Sequence, residues 1–199
     1  MLEARHQKGK PRVVTKPLVF CAVSVLAACG AQDGTRSSVE SNSQAKISRS
    51  PIIDPTGWPI FDQAARQVGL VTSRRGAGAV VVHVQLRNVP PGVHGIHIHE
   101  YPKCEPPTFG TAGAHWNWTS KQHGHKNPQG YHVGDLGNIM VGSDGVAEKS
   151  FSIPAKDWEP NLKNGLSVVI HSHPDDDRTD PSGKSGERIA CGLLFLRAD

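Results

Sequence analysis

The chain has 199 residues, 37% of them hydrophobic, which is enough for one domain of about 150 residues with a single core and for accessory segments. Its formal charge of +4 comes largely from residues 1–28, which hold five basic residues and one acidic residue; the remainder carries 17 of each sign. Because no basic stripe with interleaved aromatic residues is present, we expect no nucleic-acid partner. The 21 Gly and 15 Pro residues favour short strands and loops over helices.

The N-terminal 28 residues have the pattern of a secretory signal peptide: a basic segment followed by the apolar stretch 17–28, which is too short to span a membrane well. The stretch runs into the letters LAAC, which resemble the lipobox of bacterial lipoproteins, where the cysteine is lipid-modified and becomes the first mature residue. We therefore predict a signal peptide over residues 1–28 and a lipid anchor on Cys29. The alternatives are an ordinary signal peptide cleaved after Ala28 and, more remotely, a buried core helix.

Residues 29–55 are rich in Ser, Gln, Asn and charged residues, a composition typical of a disordered tether. Together with the lipid anchor, this composition predicts that a domain of residues 56–199 is held close to a bacterial membrane, in the periplasm or at the cell surface. The sequence leaves the oligomeric state open, with a homodimer as one option.

Between residues 65 and 196 the apolar residues recur with a period of two, which predicts β-strands. In GIHIHE, two isoleucines alternate with His97 and His99, so both imidazoles share one strand face while the isoleucines enter the core. Many short strands with Gly and Pro turns predict an all-β fold, an antiparallel sandwich or flattened barrel. The predicted strands lie at residues 80–86, 96–99, 139–141, 146–153, 166–171 and 189–195.

Two long segments, residues 100–134 and 174–187, lack this periodicity and are rich in Gly, Pro, Asp and His. Loops of this length inside a compact domain are usually functional, because a rigid scaffold positions them. We therefore expect the chemistry of the protein to lie on these two loops, over one outer face of the sheet.

Seven side chains that can bind a metal lie on or beside these loops, and they comprise six imidazoles and one carboxylate. That number is too large for one ordinary metal site and suits two adjacent sites that share a ligand. Neutral imidazole suits copper and zinc, and a mixed set with one carboxylate suits tetrahedral zinc. The seven residues are His97, His99, His115, His123, His132, Asp135 and His171.

The four cysteines divide between the leader and the domain. Cys21 leaves with the signal peptide and Cys29 is the predicted lipid site, so Cys104 and Cys191 remain in an oxidising compartment. We predict a disulfide between Cys104 and Cys191. The alternatives are two buried free thiols or, less favoured, a cysteine metal ligand.

The stretches GIHIHE, AGAHWN, HVGDLGN, VVIH and ERIACG, taken together, resemble copper/zinc superoxide dismutase, and their spacing resembles its secreted bacterial branch. The resemblance covers about residues 65–196 and implies a Greek-key barrel. It implies a copper ion bound by His97, His99, His115 and His171. It implies a zinc ion bound by His115, His123, His132 and Asp135, with His115 bridging the two metals.

The same resemblance implies roles for three further residues. Asp175 would link copper ligand His97 to zinc ligand His123, Arg188 would stand beside the copper opening, and His94 would tie loops together without binding metal. The implied activity is dismutation of superoxide to oxygen and hydrogen peroxide by a one-electron copper cycle, with His115 delivering a proton. The alternative is a carrier or store of copper or zinc on the same fold.

The sequence departs from the family pattern near the expected opening. The segment between Asp176 and Arg188 is shorter than in many members, which puts the steering of substrate in doubt; Lys184 is a candidate helper, although a solvated surface Lys is the more common case. Trp118 stands where a Pro is common. His125 and His173 are extra histidines that we expect at the surface rather than in copper capture.

Overall fold

Alternating apolar, often β-branched, residues form the strands of the domain. A computed structural model describes residues 56–158 and 164–196 of the chain. Two short 3₁₀ helices, Gly110–Ala112 and Ala155–Asp157, accompany eight strands. The strands are β1 (Trp58–Asp62), β2 (Gln67–Arg75), β3 (Ala79–Leu86), β4 (Gly92–His99), β5 (Asp135–Val141), β6 (Ala147–Pro154), β7 (Leu166–His171) and β8 (Arg188–Leu194).

All neighbouring strands are antiparallel, in the order β5-β4-β7-β8-β1-β2-β3-β6. The two outermost strands, β5 and β6, follow each other in the chain, and the Gly142 amide closes the turn between them on the Val146 carbonyl at 2.9 Å. Lys149 of β6 also donates to the Asn138 carbonyl of β5 at 2.6 Å. The sheet therefore rolls into a nearly closed barrel, which confirms the predicted all-β antiparallel fold.

The core lies inside this barrel and follows the predicted alternation. Along β3, Val80, Val82, Val84 and Leu86 are at most 1% exposed, whereas Val81 is 38% exposed. Ile96 and Ile98 of β4 also lie in the core with no exposed surface. Such burial supplies most of the free energy that drives folding.

Strand β4 differs from β3 because both of its faces are buried. His97 and His99 are about as buried as Ile96 and Ile98, with which they alternate, although they point away from the core cluster. The two loops predicted from the sequence, which run from β4 to β5 and from β7 to β8, cover this second face. The fold thus sets the histidines between a rigid sheet and two loops.

Two details of the strands did not follow from the pattern. Strands β1 and β2 were not among the predicted strands: β1 is five residues long and contains Pro59, and the buried residues of β2 follow one another instead of alternating. In β8, Ala190 and Leu194 face the core, whereas Cys191 packs on the other side with Phe109. Both faces of β8 are therefore covered, so its sequence does not alternate cleanly.

No helix within residues 56–158 and 164–196 is long and apolar enough to cross a membrane. The signal peptide of residues 1–28, the lipid anchor on Cys29 and the tether of residues 29–55 lie outside the described residues. They stay predictions.

Candidate metal centre

The strand pairing brings the seven predicted ligands together on the outer face of the sheet, beneath the two loops. Strand β4, with His97 and His99, pairs with β5, which begins at Asp135, and with β7, which ends at His171. The loop between β4 and β5 adds the other three histidines, His115, His123 and His132. All seven side chains are buried, with at most 6% exposed surface.

Four of these histidines form a group that we call the copper half: His97, His99, His115 and His171. One ring nitrogen from each lies within 4.8 Å of the others. Each ring also has a buried nitrogen without a hydrogen-bond partner; these atoms are His97 Nδ1, His99 Nε2, His115 Nε2 and His171 Nε2. Leaving a buried polar atom unpaired costs about 1–3 kcal/mol, so four of them in one place fit a metal ion that all four would bind.

The opposite nitrogens of the copper half are all held. His99 Nδ1 donates to the Gly113 carbonyl at 3.0 Å, and His171 Nδ1 faces the Gly186 carbonyl at 3.3 Å. Because a carbonyl only accepts, these contacts place the proton on Nδ1 and leave the Nε2 lone pair for the centre. Four neutral imidazoles with converging lone pairs fit copper.

Burial keeps these rings neutral. It lowers the pKa of His115 to about 4 and that of His171 to about 3, and it also lowers the pKa values of His97 and His99. The positive charge of Arg188 further lowers the pKa values of His99 and His171. No proton therefore competes with a metal for these nitrogens near neutral pH.

The zinc half consists of His115, His123, His132 and Asp135, arranged around one carboxylate oxygen. Asp135 Oδ1 lies 2.9, 3.0 and 3.2 Å from the Nδ1 atoms of His115, His123 and His132. The Nδ1 atoms of His115 and His132 are 3.3 Å apart. Ligands placed about 2.0 Å from a tetrahedral zinc are about 3.3 Å from one another, so this arrangement fits zinc.

Charges in the zinc half stabilise each other. Burial alone would raise the pKa of Asp135, but hydrogen bonds from the three histidines and from the Gly124 amide hold it far below the usual range. Burial alone would lower the pKa of His123, but the carboxylates of Asp135 and Asp175 raise it to about 10. A divalent cation would replace the proton that these carboxylates favour.

Asp175 connects the two halves from the loop between β7 and β8. Its Oδ2 lies 2.9 Å from His97 Nε2, and its Oδ1 lies 3.0 Å from His123 Nε2. The sequence did not point to Asn138, which fixes the backbone of Asp175: its side chain accepts from the Asp175 amide at 2.7 Å and donates to the Asp175 carbonyl at 2.9 Å. Asn138 stands in the quoted segment HVGDLGN, but nothing in its spacing connects it to Asp175.

Arg188 lies at the start of β8, where its guanidinium binds the loop between β4 and β5. Its Nη1 donates to the Phe109 carbonyl and its Nη2 to the Gly113 carbonyl, both at 2.7 Å. The Gly113 carbonyl also accepts from His99, so one backbone group joins the arginine to a histidine of the copper half. The side chain is partly exposed, which leaves a fixed positive charge between this histidine and solvent.

The predicted disulfide is present. Cys104 and Cys191 are bonded, with a Cα–Cα distance of 5.5 Å and a sequence separation of 87 residues. The bond attaches the loop that carries Phe109 and Gly113 to strand β8, which carries Arg188. The bridge therefore holds the carbonyls to the arginine that they bind.

Three further histidines of the described residues, His94, His125 and His173, lie outside both halves. His94 is buried, and its ring joins the His171 and Pro90 carbonyls at 2.7 and 2.8 Å, so it ties a loop to the end of β7 as expected. His125 and His173 are exposed, and the His125 ring bonds to the Asp135 carbonyl at 2.9 Å.

The other two residues that the sequence singled out are also at the surface. Lys184 is exposed. The 44% exposed Trp118 donates from its indole to the Asp157 carbonyl at 2.9 Å. This contact joins the loop between β4 and β5 to the segment after β6.

The same fold occurs in solved structures with related sequences. A SOD-like protein from Bacillus subtilis superposes with a TM-score of 0.65 at 32% identity, over 70% of this chain and 98% of that one. The Cu/Zn superoxide dismutase from Brucella abortus superposes with a TM-score of 0.59 at 26% identity, over 70% and 99%.

Sequence comparison gives the same result. The Cu-Zn superoxide dismutase 1 of Aquifex aeolicus is 35% identical over 142 residues, which are 68% of this chain and 84% of that protein. The Cu-Zn superoxide dismutase of Caulobacter vibrioides is 35% identical over 137 residues, 65% and 79% of the two chains. The sequence profile of the copper/zinc superoxide dismutases matches residues 67–194. The chain therefore belongs to the copper/zinc superoxide dismutase family.

Proposed function

We propose that this protein disproportionates superoxide to oxygen and hydrogen peroxide with one copper and one zinc per chain. Copper is bound by His97, His99, His115 and His171, and zinc by His115, His123, His132 and Asp135. The observation that carries this proposal is the set of four buried, unpaired ring nitrogens in the copper half, beside the four ligand atoms of the zinc half, which lie within 4.8 Å of one another. Copper bound there would supply the one-electron oxidation and reduction that the reaction requires and zinc cannot.

His115 belongs to both halves. Its Nδ1 lies 2.9 Å from Asp135 in the zinc half, and its Nε2 is the unpaired atom in the copper half. The zinc half thus fixes the ring, while Nε2 is the atom that can bind a metal or hold a proton. Peroxide formation consumes protons, and Nε2 of His115 is placed to hold one for the product.

Arg188 prepares the copper half for a small anion. Its two bonds to carbonyls fix the guanidinium, and a fixed positive charge attracts superoxide and orients it with directed donors. Since the segment before Arg188 is short, we assign the attraction to this side chain rather than to the exposed Lys184.

The proposed setting is outside the cytoplasm. The disulfide between Cys104 and Cys191 is of the kind that persists in oxidising compartments. One 33% identical relative, from Brugia pahangi, is an extracellular Cu-Zn superoxide dismutase. The lipid anchor on Cys29 would then hold the enzyme at a bacterial membrane, and a homodimer stays an option.

Metal analysis combined with a superoxide-consumption assay tests the proposal. The purified protein is stripped of metal and then loaded with copper, with zinc, or with both. We expect one copper and one zinc per chain, and fast activity that requires copper. Equal activity without copper would contradict the proposal, and tight binding of both metals without activity would favour a carrier or store of copper or zinc.

A further inference from the structure

Besides Asp175, the aspartate Asp180 of the loop between β7 and β8 contacts the zinc half from outside. Asp180 Oδ1 accepts a hydrogen bond from the backbone amide of His123 at 2.6 Å. The same oxygen lies 3.8 Å from Nε2 of His132. One carboxylate oxygen therefore faces two of the three histidines of the zinc half.

The outer ring nitrogens of this centre follow a pattern. Nε2 of His97 and Nε2 of His123 both face Asp175. His132 directs Nδ1 to Asp135 and Nε2 to Asp180. In the zinc half, His123 and His132 each direct Nδ1 to Asp135 and Nε2 to an aspartate of the loop between β7 and β8. A carboxylate in that position fixes the ring and raises its basicity as a ligand.

Asp180 differs from Asp175 in its surroundings. The Asp175 side chain has no exposed surface, whereas 49% of the Asp180 side chain is exposed. Asp180 lines a cavity of about 610 Å³ whose wall also includes His115 and His132. At 3.8 Å the contact with His132 is within ion-pair distance but too long for a direct hydrogen bond, so it acts through charge. The cavity beside the Asp180 carboxylate therefore gives solvent a path to the zinc half.

We propose that Asp180 is a positioning residue for zinc: it fixes the backbone at His123, orients the His132 ring through Nε2, and raises the affinity of the site without binding the metal. This inference rests on the proposed zinc site. Loss of a carboxylate opposite a ligating histidine typically weakens metal binding about 10- to 100-fold.

The test measures zinc affinity of the copper-free, full-length protein by competition with a chelator, in Asp180→Ala and Asp180→Asn. The Asn side chain can still accept from the His123 amide but has no charge to offer His132. We expect affinity to fall about 10- to 100-fold in Asp180→Ala and by less in Asp180→Asn. Asp144→Asn is the matched control, because Asp144 also accepts from a backbone amide, in the distant turn between β5 and β6; it should leave the affinity unchanged.

Cobalt(II) bound in place of zinc gives a readout that loss of folding alone does not mimic. We expect the visible absorption of the cobalt-loaded protein to change in Asp180→Ala, to change less in Asp180→Asn, and to stay the same in Asp144→Asn. Melting of the metal-free variants checks folding. Wild-type affinity and an unchanged cobalt spectrum in Asp180→Ala would overturn the inference alone; a wild-type protein that binds no zinc would overturn the proposed function with it.

Discussion

The two halves of the histidine cluster differ in what holds their ligand atoms together. In the zinc half, Asp135 Oδ1 lies within hydrogen-bond distance of three Nδ1 atoms, so protein charges organise the site. In the copper half, four ring nitrogens converge with no protein partner. Hydrogen bonds among its own four side chains thus hold the zinc half together, whereas in the copper half the hydrogen bonds lie on the far side of each ring.

This difference assigns different tasks to the two halves. A closed set of four ligands with three bonds to one carboxylate is typical of a structural zinc site. A site made only of neutral imidazoles suits a copper ion whose charge would change by one electron. The fixed positive charge beside it suits the approach of a small anion. His115, which faces Asp135 with Nδ1 and the copper half with Nε2, is the residue through which one half can act on the other.

Removal of one ring from the copper half should separate the two halves most completely. In His171→Ala the copper half has three imidazoles, while every contact of Asp135 is retained, so we expect complete loss of copper-dependent activity and near-normal zinc content. Metal analysis and the superoxide assay measure both quantities. The exposed His173, two residues away, provides the control: His173→Ala should keep wild-type activity. Activity in His171→Ala above half of wild type would contradict the assignment.

The halves should also respond differently to pH in the metal-free protein. The pKa values of His115 and His171 fall from 6.5 to about 4 and about 3 on folding. The unfolded chain therefore binds more protons below pH 6.5, and stability is lost as pH falls from 6.5 towards 4. Between pH 7 and pH 5 the loss is about 2 kcal/mol for each ring. The pKa of His123 is raised to about 10, so its contribution is complete below pH 6.5 and is lost as pH rises towards 10.

Urea unfolding of the metal-free protein between pH 5 and pH 8 measures this effect. Wild type should become less stable towards pH 5, and His171→Ala should show a shallower decline because one of the buried neutral rings is absent. The exposed His173→Ala variant should follow wild type. An identical slope in all three proteins would show that burial of His171 does not set the pH dependence.

Part of this organisation was accessible from the sequence. Alternation in GIHIHE placed His97 and His99 on one face, because side chains two residues apart in a strand must share a face. The choice of ring nitrogen was not accessible, since it depends on carbonyls of Gly113 and Gly186 in loops of irregular conformation. The contacts of Asn138 and Asp180 were missed for the same reason: they join segments that are distant in sequence.

The disulfide between Cys104 and Cys191 attaches the loop between β4 and β5, which borders the copper half, to strand β8. Its 87-residue separation predicts up to about 4.6 kcal/mol by chain entropy, and we expect about 3 kcal/mol because measured values are often lower. Reduction of the metal-free protein should therefore lower its melting temperature by about 10 °C. The double variant Cys104→Ser, Cys191→Ser should melt at the lower temperature with or without reductant. A melting temperature of wild type that reductant does not change would count against this role.

The smallest expected effect concerns the guanidinium between the copper half and solvent. Arg188→Ala removes the fixed charge while all seven ligand side chains stay, so kcat/KM should fall about tenfold and depend less on salt, with copper and zinc content unchanged. Arg188→Lys keeps the charge but cannot bind both carbonyls of Phe109 and Gly113, so we expect an intermediate value. The exposed Arg178, in the loop between β7 and β8 that leads to Arg188, is the control, and its change to Ala should leave kinetics unaltered. If Arg178→Ala lowered kcat/KM as much as Arg188→Ala, attraction would come from the charge of the whole loop, and the hydrogen bonds that fix Arg188 would have no special part in catalysis.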